Sequence, residues 1–247
     1  PDNMNITIAG NRDVADGLSQ FATSGQVEFF DPFGEPLKEL DPAPEGMTAV
    51  DVFNAYYDAR GGAGKLDKVK GLKTTGTMAA GPMELVMEEA YLNRGAGYTR
   101  ISAGGNVMQD SRFDGTKGTE TAMGQVTPME KDKMLDTKRS HDMLAFLHLV
   151  DYGLSAELLG IDRINEVPHY LIELRRDGAV AESHWFDVET GLRTRTVRSE
   201  TTPRGDMSLT LDYGAMTEAK GMLFEGEVTM KTGGQEMKMT VNTVDVN

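Results

Sequence analysis

The 247-residue sequence contains no cysteine. That excludes disulfides, thiolate zinc sites and cysteine nucleophiles together. Histidine is scarce, with four residues, and tryptophan occurs once. No run of about 18 apolar residues exists, so no segment reads as a membrane-spanning helix. No basic stretch followed by an apolar one opens the sequence, so it shows no signal peptide. Pro1-Asp2-Asn3-Met4-Asn5 does not read as a natural start, so the missing signal peptide carries little weight. Positive charge is in deficit, 25 Lys and Arg against 39 Asp and Glu, for a net charge of −14. Such a surface repels phosphate backbones and anionic membranes and favours solubility. Nucleic acid is therefore not an expected partner.

Methionine is abundant instead, with 16 residues against 9 Phe. Its flexible, polarisable side chain fills irregular cores or lines adaptable binding surfaces. Residues 4–9 alternate as a half-buried strand does. Asp13 could cap a short helix carrying Val14, Leu18 and Phe21 on one face, and residues 26–30 read as a second strand. Residues 38–47, with Pro42, Pro44 and Gly46 among charges, have linker composition. Thr48-Ala49-Val50-Asp51 is a capping box, opening a helix that carries Val52, Phe53, Tyr56 and Tyr57 and stops at Gly61-Gly62. A short helix over 65–70 is expected next.

Strands dominate from Leu72 onward. Met83, Leu85 and Met87 alternate with Glu84, Val86 and Glu88; Met237, Met239 and Val241 alternate with Glu236, Lys238 and Thr240. Such alternation gives one buried and one wet face. Asp114-Gly115, Asp177-Gly178 and Gly233-Gly234 suit two-residue hairpin turns at positive φ. Thr127-Pro128-Met129-Glu130 predicts a helix beginning at Pro128 and running to about Arg139. Residues 141–150 are apolar enough for a second, buried helix.

Candidate chemistry is thin. His141 and His148 share a helical face but lie roughly 10 Å apart, too far to ligate one zinc ion. His169 and His184 sit in strands. Neither His-Glu-x-x-His nor Gly-x-Ser-x-Gly occurs. Gly61-Gly62-Ala63-Gly64-Lys65 departs from a phosphate loop, with Ala59 where the first Gly belongs and Leu66 in place of Ser or Thr. Acidic pairs such as Glu88-Glu89, Asp187 with Glu189, and Glu225 with Glu227 read as solvated faces on an acidic protein. No catalytic residue, metal ligand or cofactor is expected in this chain.

Two stretches resemble known families. Asn5-Ile6-Thr7-Ile8-Ala9-Gly10, Leu18-x-x-Phe21 and Gly25-Gln26-Val27-Glu28-Phe29-Phe30-Asp31-Pro32-Phe33-Gly34 resemble the closing strand–helix–strand of exported insulinase-type (pitrilysin-like) zinc peptidases. The resemblance holds no catalytic position, and implies that any zinc belongs to an upstream domain. From Thr48 onward the chain is similar to outer-membrane lipoprotein-sorting (LolA/LolB-like) domains. The similarity runs through Tyr56 to Gly62, Lys65-Leu66-x-x-Val69-Lys70-x-Leu72-Lys73-x-Thr75-Gly76-Thr77, Phe113-Asp114-Gly115-Thr116-Lys117-Gly118, Phe186-Asp187-x-x-Thr190-Gly191-Leu192, and Asp212-Tyr213 with Gly221-Met222-Leu223-Phe224. Thr119 stands where that family commonly has an aromatic residue, and Glu225 where it has Pro.

These resemblances imply an α+β, mostly β chain in three parts. Residues 1–37 are a terminal strand–helix–strand fragment of a peptidase domain, 38–47 a linker, and 48–247 a carrier-like half-barrel. The half-barrel is a curved antiparallel sheet, an incomplete barrel, with helices near 48–60, 128–139 and 141–150 on its concave face. The function implied is a non-catalytic module of an exported bacterial zinc peptidase, periplasmic or in the cell envelope, that holds a hydrophobic ligand or lipoprotein. A structural or interaction module with a filled core, or a free-standing carrier, are the alternatives. Met83, Leu85, Met87, Tyr98, Met108, Leu209, Leu211, Met237 and Met239 are the expected lining of an apolar cavity.

Overall fold

The computed structural model describes residues 40–247 apart from 81, 82, 123, 203 and 204, together with Ile8, 17–21, Val27 and Phe29. The chain divides into two compact units, Pro1–Glu39 and Leu40–Asn247. In the first, Ser19–Phe21 is a single 3-10 turn, closed by Phe21 N–H donating to Leu18 O at 2.9 Å. Ile8, Val27 and Phe29, within the two expected strands, are in no strand, and the rest of the expected strand–helix–strand lies outside the described residues.

The second unit is built on one antiparallel sheet of thirteen strands. Strands β1 (Gly71–Ala80), β2 (Met83–Leu92), β3 (Gly97–Ala103), β4 (Asn106–Phe113), β5 (Gly118–Ala122) and β6 (Gln125–Pro128) form a meander. A second run comprises β7 (Ser155–Ile164), β8 (Val167–Arg176), β9 (Ala179–Asp187), β10 (Arg193–Thr202) and β11 (Gly205–Tyr213). After the hairpin β12 (Met216–Ala219) and β13 (Met222–Glu225) come β14 (Glu227–Thr232) and β15 (Gln235–Val246). The spatial order is β6-β5-β4-β3-β2-β1-β15-β14-β11-β10-β9-β8-β7. The last strand thus joins the two runs, with Leu72 opposite Val246 and Met78 opposite Met239. The sheet curves but does not close, and β6 and β7 are its edges.

The predicted capping box is present. Asp51 N–H donates to Thr48 Oγ1 at 3.4 Å, and Thr48 N–H donates to Asp51 Oδ2 at 2.8 Å. It opens α1 (Ala49–Ala59), which buries Val52, Phe53, Tyr56 and Tyr57. Helix α2 (Ala63–Leu66) follows, earlier and shorter than expected. Phe53 stacks on Phe146 with ring centroids 4.9 Å apart, and Phe186 of β9 meets both rings edge-on. This aromatic cluster holds α1 against the inner face of the sheet. Where α1 ends, a Cβ on Gly61 would stand 2.5 Å from Gly221 O. Only glycine lets the β12–β13 hairpin approach that closely.

The structure corrects several expectations. Helix α3 (Lys131–Ser140) begins after Pro128, which pairs with Thr119 on the edge strand β6. An edge position tolerates a residue without an N–H. Residues 141–150 are not an α-helix; they hold two 3-10 turns, Ala145–Leu147 and Leu149–Tyr152. Asp142 accounts for this. Its carboxylate accepts from Leu144 N–H (2.9 Å), Tyr152 O–H (2.7 Å) and the His148 ring (2.8 Å), competing with helical hydrogen bonds. Asp114-Gly115 is not a two-residue hairpin. Residues 114–117 form a longer loop in which Asp114 Oδ1 accepts from Thr116 N–H and Lys117 N–H. Asp177-Gly178 and Gly233-Gly234 are tight turns at positive φ, as expected. Within the region of linker composition, Asp41 pairs with Ile161 and covers part of the β7 edge.

Candidate functional site

The pleat sends alternate side chains to opposite faces of a strand. The register therefore places Leu72, Met78, Leu85, Met87, Leu209, Leu211, Val228, Met230, Met237 and Met239 on the face that α1 covers. Seven of the nine expected cavity residues share this inner face, on β2, β11 and β15: Met83, Leu85, Met87, Leu209, Leu211, Met237 and Met239. Met78 lies between Leu85 and Met239, and Met230 lies between Leu211 and Met237. The result is a continuous methionine-rich face beyond the aromatic core. Leu209, Met78 and Val228 are buried there, while Met83 is 56% exposed.

The other two residues lie elsewhere. Tyr98 is on the outer face, where its hydroxyl donates to Glu88. Met108 is 45% exposed and sits opposite the irregularity between Ile101 and Ser102, which breaks the alternation of β4. Of the nine, only Tyr98 lines a cavity of about 720 Å³ or a smaller one of about 200 Å³. The smaller lies between β3–β4 and α3, with Thr99, Gln109, Met129 and His141 in its wall.

Between the methionine face and the core lies a partly buried ionic network that sequence reasoning missed. Glu225 Oε1 accepts from Tyr56 O–H at 3.0 Å and Arg193 Nη2 at 2.9 Å. Arg60 Nη1 donates to the Tyr56 oxygen (3.0 Å) and Arg60 Nε to Leu223 O (2.9 Å). The Arg193 guanidinium lies 4.1 Å from the Tyr213 ring centroid. Burial opposes ionisation of Glu225, but Arg60 and Arg193 outweigh it and hold its pKa at about 2. Burial pushes the Tyr56 hydroxyl up to about 12. The one sequence signal was Glu225 itself, standing where the resembled family has Pro.

A second buried chain links β9, β10 and α3. His184 Nε2 donates to Glu182 Oε2 (2.9 Å), which leaves Nδ1 to accept from the Thr196 hydroxyl (2.9 Å). Tyr213 O–H donates to Thr196 Oγ1 at 3.2 Å, and Arg139 clamps Glu182. Burial pushes the His184 pKa down to about 4 despite the Glu182 carboxylate, so the ring is neutral at pH 7. Carboxylate, imidazole and hydroxyl in a row have the composition of a hydrolytic triad. Here Thr196 is 3% exposed and His184 1%, and neither cavity reaches them. The row ties strands together and offers no nucleophile to a substrate. Among the described residues, no group of three His, Asp or Glu side chains could hold a metal ion.

Glu89 marks the border between methionine face and core. It follows Met87 on the inner face and accepts one long bond, 3.4 Å, from Thr99 Oγ1. Burial pushes its pKa up to about 7. A carboxyl raised this way contributes stability that is full below the unfolded value and lost as pH rises through 7. Glu89→Gln should therefore be more stable than the parent at pH 8, by about 2 kcal/mol, with the gain vanishing at pH 4. Urea melts at both pH values check this; an equal effect at both would contradict a Glu89 whose pKa the fold raises.

No known family matches the chain, and no curated protein matches it in sequence. Solved structures do. A LolA superfamily protein from Nitrosomonas europaea superposes with a TM-score of 0.55 at 11% identity, over 82% of this chain and 94% of that one. A domain described as an outer membrane lipoprotein-sorting protein, from Vibrio parahaemolyticus, gives 0.53 at 10% identity, over 74% and 88%. A DUF1329 family protein from Desulfovibrio piger gives 0.53 at 11%, over 84% and 94%. At such identities the likeness shows the fold alone. The chain has a LolA-like fold: a large, open, curved antiparallel sheet with helices on its inner face.

Proposed function

We propose that the LolA-like unit is a non-catalytic binding module that holds an acyl chain, a lipoprotein's lipid or an apolar peptide against its methionine-rich inner face. One observation carries the reading. Seven residues selected from strand alternation fall on one face, and Met78, Val228 and Met230 complete it. Methionines adapt to a chain of varying shape. Each buried methylene would add about 0.8 kcal/mol of gross gain before binding costs. The lipoprotein-sorting description of the Vibrio domain supports the same class of ligand.

A second reading, an interaction module with a filled core, is favoured by the two cavities being lined elsewhere. A fluorescent long-chain fatty acid separates the two. Saturable micromolar binding, with lipid co-purifying in native mass spectrometry, is the expected result. No binding by either method leaves the interaction module.

The resemblance of residues 5–34 to the end of an insulinase-type peptidase extends the proposal. The module would then be an appendage of an exported bacterial zinc peptidase, working in the periplasm or cell envelope. A His-x-x-Glu-His zinc motif encoded upstream in the same polypeptide supports that context, and its absence leaves a free-standing carrier.

A further inference from the structure

The larger cavity, about 720 Å³, lies at one end of β1–β4, where outer-face side chains meet Leu72, Tyr91 and Phe113 of the inner face, away from the methionines. Its lining includes Gly71, Lys73, Ala90, Leu92, Tyr98 and Arg112. The register puts all six on the face away from α1. The loops at the strand ends add Lys70, Ala96, Asp114 and Lys117. Ala90, Leu92, Ala96 and the Tyr98 ring make an apolar floor, with Leu92 left 59% exposed. Lys70, Lys73, Arg112 and Lys117 stand round it.

Some of this positive charge is compensated. Lys73 lies 3.7 Å from Glu88, and Arg112 3.0 Å from Asp110. Asp114 is engaged by its own loop, accepting from Thr116 and Lys117 N–H. Among the described residues the Lys70 and Lys117 ammonium groups form no ion pair within 4 Å, although Asp114 lies close enough to Lys117 to feel its charge. With Glu88 and Asp110 counted beside Asp114, four cations meet three carboxylates, and the excess positive charge sits at Lys70 and Lys117, on a chain whose net charge is −14. The volume is that of a small-molecule site.

We propose that this outer basin is a second binding site, for an anionic amphiphile whose carboxylate or phosphate head meets Lys70 and Lys117 and whose apolar part lies on Leu92 and Tyr98. The site is independent of the inner-face reading, because no inner-face methionine lines it. Its attraction is electrostatic and open to solvent, so it weakens as salt rises.

The probe is decanoate, followed by amide chemical shifts of the isotope-labelled chain. Shifts are expected at residues 70–73, 90–98 and 112–118. A decyl-trimethylammonium cation or inorganic phosphate alone should produce none there. The double variant Lys70→Gln/Lys117→Gln should bind decanoate at this site at least tenfold more weakly, with an unchanged melting temperature and unchanged inner-face binding. Two vesicle preparations, neutral and with one-third anionic phospholipid, identify the source of the head group. Sedimentation with the anionic vesicles only, lost in the double variant, points to a bilayer lipid; no sedimentation points to a free amphiphile. Equal binding of the cationic amphiphile, decanoate shifts confined to the inner face, or full affinity in the double variant would overturn the proposal.

Discussion

Glu225→Ala is expected to cost about 2–3 kcal/mol of folding stability, less than the penalty for breaking a fully buried ion pair because Glu225 and Arg193 both keep some solvent contact. The carboxylate accepts from Arg193 and Tyr56, and Arg60 donates to that same Tyr56 oxygen. Removing it leaves the buried Arg60 and the partly buried Arg193 guanidinium close together with no anion between them. Arg193 already has a buried Nε without a partner, so it has little slack to recover the loss. Glu225→Gln keeps an acceptor but not the charge, and should fall between the parent and alanine. The double change Glu225→Leu with Arg193→Met removes both charges, and should recover much of the alanine loss. Acid reduces the difference. A carboxylate held down at about 2 stabilises the fold above its unfolded value, and loses that contribution as pH falls toward 2. Denaturant melts of the three variants at pH 7 check the order; an alanine cost below about 1 kcal/mol would contradict an ion pair at the heart of the fold.

Leu85→Glu is expected to abolish fatty-acid binding, weakening it by about 100-fold or more, because an unpaired carboxylate would stand in an apolar face. Leu85 lies between Met78 on β1 and Ala103 on β3, within the methionine-rich face. It is only partly buried, so the variant should still fold. The next residue supplies the control. Val86 points to the outer face, is 44% exposed and does not line the outer basin. Val86→Glu adds the same charge one residue away, and should bind as the parent does. Equal loss in both variants would indicate general destabilisation, and no loss in either would remove Leu85 from the site.

Local signals made much of the sheet legible. The alternation in β2, β11 and β15 placed seven residues on one face, and the turns at Asp177-Gly178 and Gly233-Gly234 follow from residues that tolerate positive φ. Other turns carried weaker signals. Asn165-Glu166 and Lys220-Gly221 also adopt positive φ, yet Asn-Glu and Lys-Gly are not standard hairpin pairs. Alternation also does not say which face is inner, so Tyr98 was assigned to the wrong one; the pairing of β3 with β2 decides it. The irregularity beside Met108 is a property of two strands together. The Arg60–Tyr56–Glu225–Arg193 network was hidden for the same reason. Its members come from α1, β10 and β13, and only the assembled fold brings them into contact.

The central claim is that the methionine-rich inner face is where an apolar chain lies. Methyl-labelled methionine offers the most direct test, because the residues in question carry their own reporters. On titration with palmitate, the methyl resonances of Met87, Met230, Met237 and Met239 should shift together and saturate at one concentration. Met143 and Met222, buried in the aromatic core, should stay in place. No methyl shift at saturating palmitate, or shifts that leave those four untouched, would contradict the account.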